Sequence, residues 1–213
     1  MTFLEIFYLF VFYSFFGWLS ETIIVSIQQK HFANTGFLDG PFSPIYGFGA
    51  LAIIFLVFPF KNNLLLFFVM SIIISSVLEY LTSYFFEKIF KVSWWNYCQE
   101  YLNLNGRICL ETSLYWGILS VVLLIFVHPF IFPASQFLSI HIGYYGFGFF
   151  LIYFLIDTTN TFHSLFKFRK IISKNIQFNT QLNKKIIRLI NSFPNLSSKT
   201  YNDILAQIKS KLK

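Results

Sequence analysis

The chain has 213 residues, 56% of them hydrophobic and 12% charged, with a mean hydropathy of +0.62 and a formal net charge of +7. That balance excludes an ordinary soluble domain, since apolar runs of about 20 residues are what the hydrocarbon core of a bilayer demands. The charge is unevenly placed: residues 167–213 hold eleven Lys/Arg and one acid, net +10, whereas the rest has five bases and eight acids, net −3.

The first apolar run, 3–27, opens MTFLEIFYLF, with no basic leader and no small-residue cleavage site. It is expected to stay as a span and not to act as a signal peptide. Ser14, Glu21 and Gln28 are spaced seven apart and share one face of it. Next comes NTGFLDGPFSPIYGFGA, residues 34–50, which carries Gly36, Gly40, Gly47 and Gly49, Pro41 and Pro44, Asn34, Tyr46 and a lone carboxylate, Asp39. Glycine tolerates positive φ and close backbone approach, and proline stiffens a turn. Irregular backbone at membrane depth is tolerated only under protein or beside a wet cavity. The stretch therefore reads either as a tight re-entrant turn or as the lip of a site.

A second, short helix is expected over 44–60, with Pro44 in its first turn, where a proline forfeits no helical bond. The third is expected over 64–89, with Ser75, Glu79, Ser83 and Glu87 as a polar stripe at intervals of four. The connection after it, part of KVSWWNYCQEYLNLNGRICLETSLYWG (91–117), carries Trp94, Trp95, Tyr97 and Tyr101 and then Asn105, Gly106 and Arg107. Its aromatic residues suit an interfacial belt or a stacking platform for a ligand. A fourth helix is expected over 108–130 and a fifth over 143–166, the latter turning polar at DTTNTFH, which begins at Asp157.

Beyond 166 the chain becomes a basic tail with two amphipathic pieces divided at Pro194. Such a piece lies on anionic lipid or docks a partner helix, and nucleic acid is not the expected partner. The expected fold is thus an all-α integral membrane protein, with a five-helix bundle over 1–166 and a basic amphipathic tail over 167–213. Basic residues cluster on the cytoplasmic side of spans. The tail is therefore expected to be cytoplasmic and the N-terminus outside, in a multi-pass protein of the cell membrane. Lys30, Lys91 and Arg107 then fall inside with both unusual connections, and Lys61 falls outside.

Ionisable groups inside spans cost roughly 2.5–3.5 kcal/mol each on insertion scales, so each asks for a partner or an aqueous cavity. Glu21, Glu79, Glu111 and Asp157 are expected to face one interior, with Arg107 as counter-charge to Glu111 at i,i+4 or to Glu21 or Glu79. Two readings stand: charges that staple a bundle, or a polar pocket for a small or headgroup-sized ligand. A weak internal echo accompanies them. Glu21 precedes Phe32 as Glu79 precedes Phe90, and the aromatic–glycine pairs Tyr46-Gly47 and Trp116-Gly117 follow, as in transporters built from repeats.

The sequence contains no phosphate-binding G-x-x-x-x-G-K-[ST], no H-E-x-x-H and no G-x-S-x-G. The four histidines and two cysteines have no ligand spacing, so no metal or cofactor is expected.

The blocks FGW-x-x-E (16–21), NTGFLDGPFSPIYGFGA, EY-x-x-S (79–83), WWNY (94–97) and LNGRICLETSLYWG (104–117) are similar to the ABC-transporter type IV, CmpB-like membrane protein family over about 10–165. Thr35 and Asn96 depart from that pattern, which often has a basic residue and an Asp there. The resemblance implies a multi-span bacterial permease. The leading expectation is a permease subunit with a polar pocket in the cytoplasmic half of the bundle. Its energy would come from a separate ATPase subunit or an ion gradient, and a homo-oligomer is compatible with its small size. The alternatives are a membrane-embedded enzyme acting on a lipid headgroup and a membrane scaffold or sensor.

Overall fold

The computed structural model describes residues 1–173 together with Ile187, Arg188 and Ile190. Among these the chain is helical, with one isolated bridge between Leu104 and Ile108. Helix α1 spans Phe3–Gln29 and starts from a capping box in which Thr2 and Glu5 exchange backbone–side chain bonds. Helix α2, Pro44–Ala52, has Pro44 at its first turn and continues through a π turn, Ile53–Val57, into a 3-10 turn, Phe58–Phe60. Helix α3 is Leu64–Phe90, capped by the Asn63 side chain.

Helix α4, Leu110–Val122, passes through a second π turn, Leu123–Val127, into α5, His128–His141; α6 is Gly143–Ser173. The fourth helix was expected to end near 130. Instead Pro129 falls in the first turn of α5, where proline is tolerated, and helical backbone runs on to His141. The 131–142 region, expected as an outer connection, is mostly helix. The last helix likewise passes 166 and is described as far as Ser173. The amphipathic pieces expected around Pro194 lie outside the described residues.

Phe3–Gln29, Leu64–Phe90 and Leu110–His141 are each long and apolar enough to cross a bilayer; Pro44–Phe60 is a shorter apolar helix. Only 33%, 22% and 17% of their most apolar windows are buried inside the protein, so most of that apolar surface faces outward, where lipid is the matching solvent. The chain is a helical membrane protein.

Ring pairs fix the directions. Phe3 and Phe7 pack on Phe147, and Phe10 on Phe154, so α1 and α6 run parallel. Between α1 and α2 the numbering runs in opposite senses, with Gly17 against Tyr46 and Leu9 and Tyr13 grouped with Ala50 and Ile54. Helices α3 and α4 are antiparallel too, with Ser76 bonded to Ser113 and Gly117 against Ile72 and Phe68. The ends of α1 and α3 therefore lie on one side, where their following connections meet at Phe37 and Trp94.

Close helix approach depends on small residues, as in other membrane bundles. A Cβ on Gly17 would run into the Tyr46 ring, and one on Gly47 into Ser14 Oγ. Gly17→Val is expected to lower stability by about 1–3 kcal/mol, the usual cost of overpacking, and to lower the melting temperature of the detergent-solubilised protein. An unchanged melting temperature would show that α1 and α2 do not pack this closely.

Candidate functional site

Residues 33–43 re-enter the bundle alongside α1. Ala33 N–H donates to Ser26 Oγ, the Thr35 and Thr22 hydroxyls bond at 3.1 Å, Trp18 Nε1 donates to Asn34 Oδ1, and Ser43 N–H donates to the Ser14 carbonyl, near the middle of α1. Ala33, Thr35, Leu38, Phe42 and Ser43 are buried. Asp157 of α6 accepts from the backbone N–H of Asp39 and of Gly40, at 3.0 and 2.9 Å. Gly40 has no positive φ. What it supplies is space, since a Cβ there would run into the Tyr153 hydroxyl. Pro41 follows it, and Gly36 leaves room beside Trp18.

Arg188 closes the same segment from the tail. Its guanidinium donates to the carbonyls of Asn34, Gly36 and Leu38 at 3.1, 3.0 and 3.0 Å and pairs with Asp39 at 3.1 Å. Burial pulls the Arg188 guanidinium below its usual range, and the Asp39 and Asp157 charges oppose that pull. In sequence Arg188 is indistinguishable from its basic neighbours. An arginine that satisfies three carbonyls of a distant loop leaves no local pattern to find.

The second connection folds on itself. Trp95 Nε1 donates to the Arg107 carbonyl, Tyr97 N–H to the Gly106 carbonyl, and Gly106 N–H to Asn103 Oδ1. Asn105 and Gly106 both have positive φ, 55° and 69°, a conformation that suits Asn and Gly best. Asn105 Nδ2 reaches the Tyr80 hydroxyl.

The charged groups do not gather at one centre. Arg107 lies before α4 begins, so it has no helical i,i+4 relation to Glu111. It reaches α3 instead, pairing with Glu87 at 2.6 Å and donating to the Tyr80 hydroxyl. Its guanidinium is held above its usual value: burial acts against the charge, and the Glu87 bond and charge outweigh it. Glu111 is exposed in the first turn of α4, where a negative charge complements the free N–H groups, and it accepts from Tyr115. Asp157 holds loop amides. The expected common interior thus divides, and Arg107 joins neither Glu21 nor Glu79.

Glu21 and Glu79 share an environment. The Tyr46 hydroxyl donates to Glu21; Trp116 Nε1 and the Tyr97 hydroxyl donate to Glu79, at 3.1 and 3.4 Å. Tyr46 and Trp116 then pack together, ring centroids 5.6 Å apart. All these donors are neutral. Burial pushes the Tyr97 hydroxyl, in the connection, well above its usual range, and the nearby Glu79 charge adds to the shift.

The arrangement occurs twice. In α1 and α2, Glu21 takes Tyr46, and Gly47 fits against Ser14 and Phe10, seven and eleven residues before Glu21. In α3 and α4, Glu79 takes Trp116, and Gly117 fits against Ile72 and Phe68, seven and eleven residues before Glu79. A π turn starts six residues after each glycine, followed by Phe58-Pro59 in one unit and His128-Pro129 in the other. The sequence echo is therefore correct in its carboxylates and its aromatic–glycine pairs. It fails at Phe32 and Phe90, which are 74% and 1% exposed and so are not equivalent.

Between the two units lies a cavity of about 350 Å³, lined mainly by apolar side chains, with the rings of Tyr46 and Trp116 and the Glu79 carboxylate beside them. Tyr13, on its wall, bonds through its hydroxyl to His128 Nδ1. Phe16, Ile23 and Leu119 edge it and are each more than 40% exposed, so it opens sideways, toward lipid. Asp157→Ala would remove both acceptors of the loop amides. At about 1.5–3 kcal/mol for each bond to a charged group, it is expected to cost several kcal/mol and to expose residues 34–43 to proteolysis. Wild-type melting and proteolysis would refute the anchoring role of Asp157.

Neither a curated protein nor a solved structure matches the chain. A family model described as "Putative ABC-transporter type IV" matches residues 8–162, a range that holds both repeat units, both folded connections and the cavity but not Arg188. With well over half of its length matched, the chain belongs to the family of that description.

Proposed function

We propose that the protein is the permease subunit of a transporter, with the cavity between the two repeat units as its solute site. The observation that carries this reading is the placement of one carboxylate from each unit at a cavity between them, Glu79 buried on its wall and half-buried Glu21 behind Tyr46. Repeat-built transporters hold substrate at such junctions, near the bilayer midplane. Five crossings, with the N-terminus outside and the tail in the cytoplasm, agree with the parallel run of α1 and α6 and with the basic tail. The chain carries no phosphate-binding loop, so energy would come from a separate ATPase or an ion gradient. The lipid-headgroup enzyme reading would take Glu21, Glu79 or Glu111 as general base with Arg107 holding an anionic group, and Arg107 instead engages Glu87.

In this reading the Glu79 carboxylate and the cavity are the substrate-binding elements. Glu21 stands behind them through Tyr46, and Asp157, Arg107 and the two connections hold the architecture. Purification in mild detergent is expected to bring an ATPase subunit along. Reconstituted vesicles containing both proteins are expected to take up solute, and Glu79→Gln is expected to lose uptake while keeping its fold. No associated ATPase and no gradient-driven flux would overturn the permease reading. Cysteine labelling in intact cells is expected to reach the N-terminus and not residue 213; the reverse would invert the topology.

Removal of residues 171–213 is expected to leave an inserted, folded bundle, because both repeat units and the cavity precede the cut. Loss of Arg188 is expected to loosen residues 34–43, read as faster hydrogen exchange there. Failure of the truncated chain to insert would make the tail part of the core.

A further inference from the structure

We infer that the cavity between the repeat units takes a lipophilic ammonium cation that enters sideways from the bilayer, with Glu79 as its counter-ion. The inference rests on the permease reading and names its substrate class. The size fits: about 350 Å³ is within the roughly 300–1,000 Å³ of small-molecule pockets. So does the shape of the entrance, since the exposed, apolar Phe16, Ile23 and Leu119 offer a path to a solute already dissolved in lipid, and the exposed Ser20 beside them turns its hydroxyl back to the Gly17 carbonyl of its own helix.

Charge selects the sign. Glu79 is the charged residue of the lining; among the described residues no Lys, Arg or His lines the cavity. Its bonds come from Trp116 and Tyr97, neutral donors that solvate a carboxylate without neutralising it. An ionised group in a span asks for an opposite charge, and an incoming cation supplies one. Trp116 and Tyr46 place two aromatic rings on the same wall, and ring faces attract ammonium groups. Glu21, bonded to Tyr46 behind that wall, adds negative potential of the same sign. The missing basic residue also argues against a phospholipid headgroup, because its phosphate would have no partner here. A phosphate-free cation with an apolar body is the chemistry that satisfies every wall.

The test uses the full-length protein in phosphatidylcholine nanodiscs, with benzyltrimethylammonium as probe and benzenesulfonate as its anionic counterpart. The expected result is saturable binding of the cation, no saturable binding of the sulfonate, and about a tenfold or greater loss of cation affinity in Glu79→Gln. Gly49→Leu is the second variant. Gly49 lines the cavity and a Cβ there meets nothing within 4 Å, so the new side chain would fill the space without a clash in the fold. It too is expected to lose binding while melting like wild type. Wild-type affinity in either variant, or sulfonate binding as tight as cation binding, would overturn the assignment and leave an apolar crevice for lipid chains. Absence of cation binding in a protein that still transports with its ATPase would overturn the substrate class alone. Cation binding that follows the expected pattern without any flux would leave the class standing and sink the permease reading.

Discussion

Irregular backbone inside a membrane protein must find every hydrogen-bond partner within the protein, and residues 33–43 show how much of a fold that constraint can claim. The segment runs to the level of Ser14, close to the middle of α1. Its amides are met by Asp157 and Ser26, its carbonyls by Arg188, and its polar side chains by Thr22 and Trp18. Partners come from α1, α6 and a residue more than a hundred positions away. Helix α6 and Arg188 of the tail are thereby tied to the turn between the first two helices. Each group left unbonded there would cost free energy comparable to a lost hydrogen bond, which explains why the stretch is polar in so apolar a chain.

The carboxylates illustrate how environment, and not residue type, assigns a role. Asp157 faces two amides and becomes a structural acceptor. Glu87 faces Arg107 and becomes half of an ion pair, while Glu111, in an exposed first turn, complements a helix N-terminus. Among the described residues Glu21 and Glu79 take tyrosine and tryptophan donors, and this is the unusual situation. A buried carboxylate supported by neutral groups keeps an attraction for cations that an ion pair has already spent.

The repeated unit accounts for the position of these two groups. A glycine one residue past each aromatic donor lets its helix close on the helix before it, and the donor then meets a carboxylate seven residues along from the glycine's contact. The π turn that follows shifts the side chains by about one position relative to a regular helix and precedes the Phe-Pro or His-Pro step. Two units of this kind, laid side by side with an irregular connection inside each, leave the cavity at their junction.

Apolar runs of helix-spanning length determined that the chain is a helical membrane protein, because a helix bonds all of its own backbone groups in lipid and needs about 20 such residues to cross it. The starts of the helices at Phe3, Pro44, Leu64 and Gly143 were legible as the beginnings of apolar runs, one of them marked by a proline suited to a first turn. The end of the fourth helix was not, since a Pro near the start of a new turn reads as a stop in sequence and continues as helix in space. The carboxylates, the glycine–proline stretch and the aromatic–glycine pairs were all visible as residues with no ordinary place in an apolar span. Their partners were not visible. Glu87 for Arg107, Asp157 for Gly40, Trp116 for Glu79 and Arg188 for three carbonyls are separated by 20, 117, 37 and at least 150 positions. Periodicity along one helix says which face a residue occupies, but which neighbour that face meets is set by the packing of whole helices. Only the tertiary structure decides that.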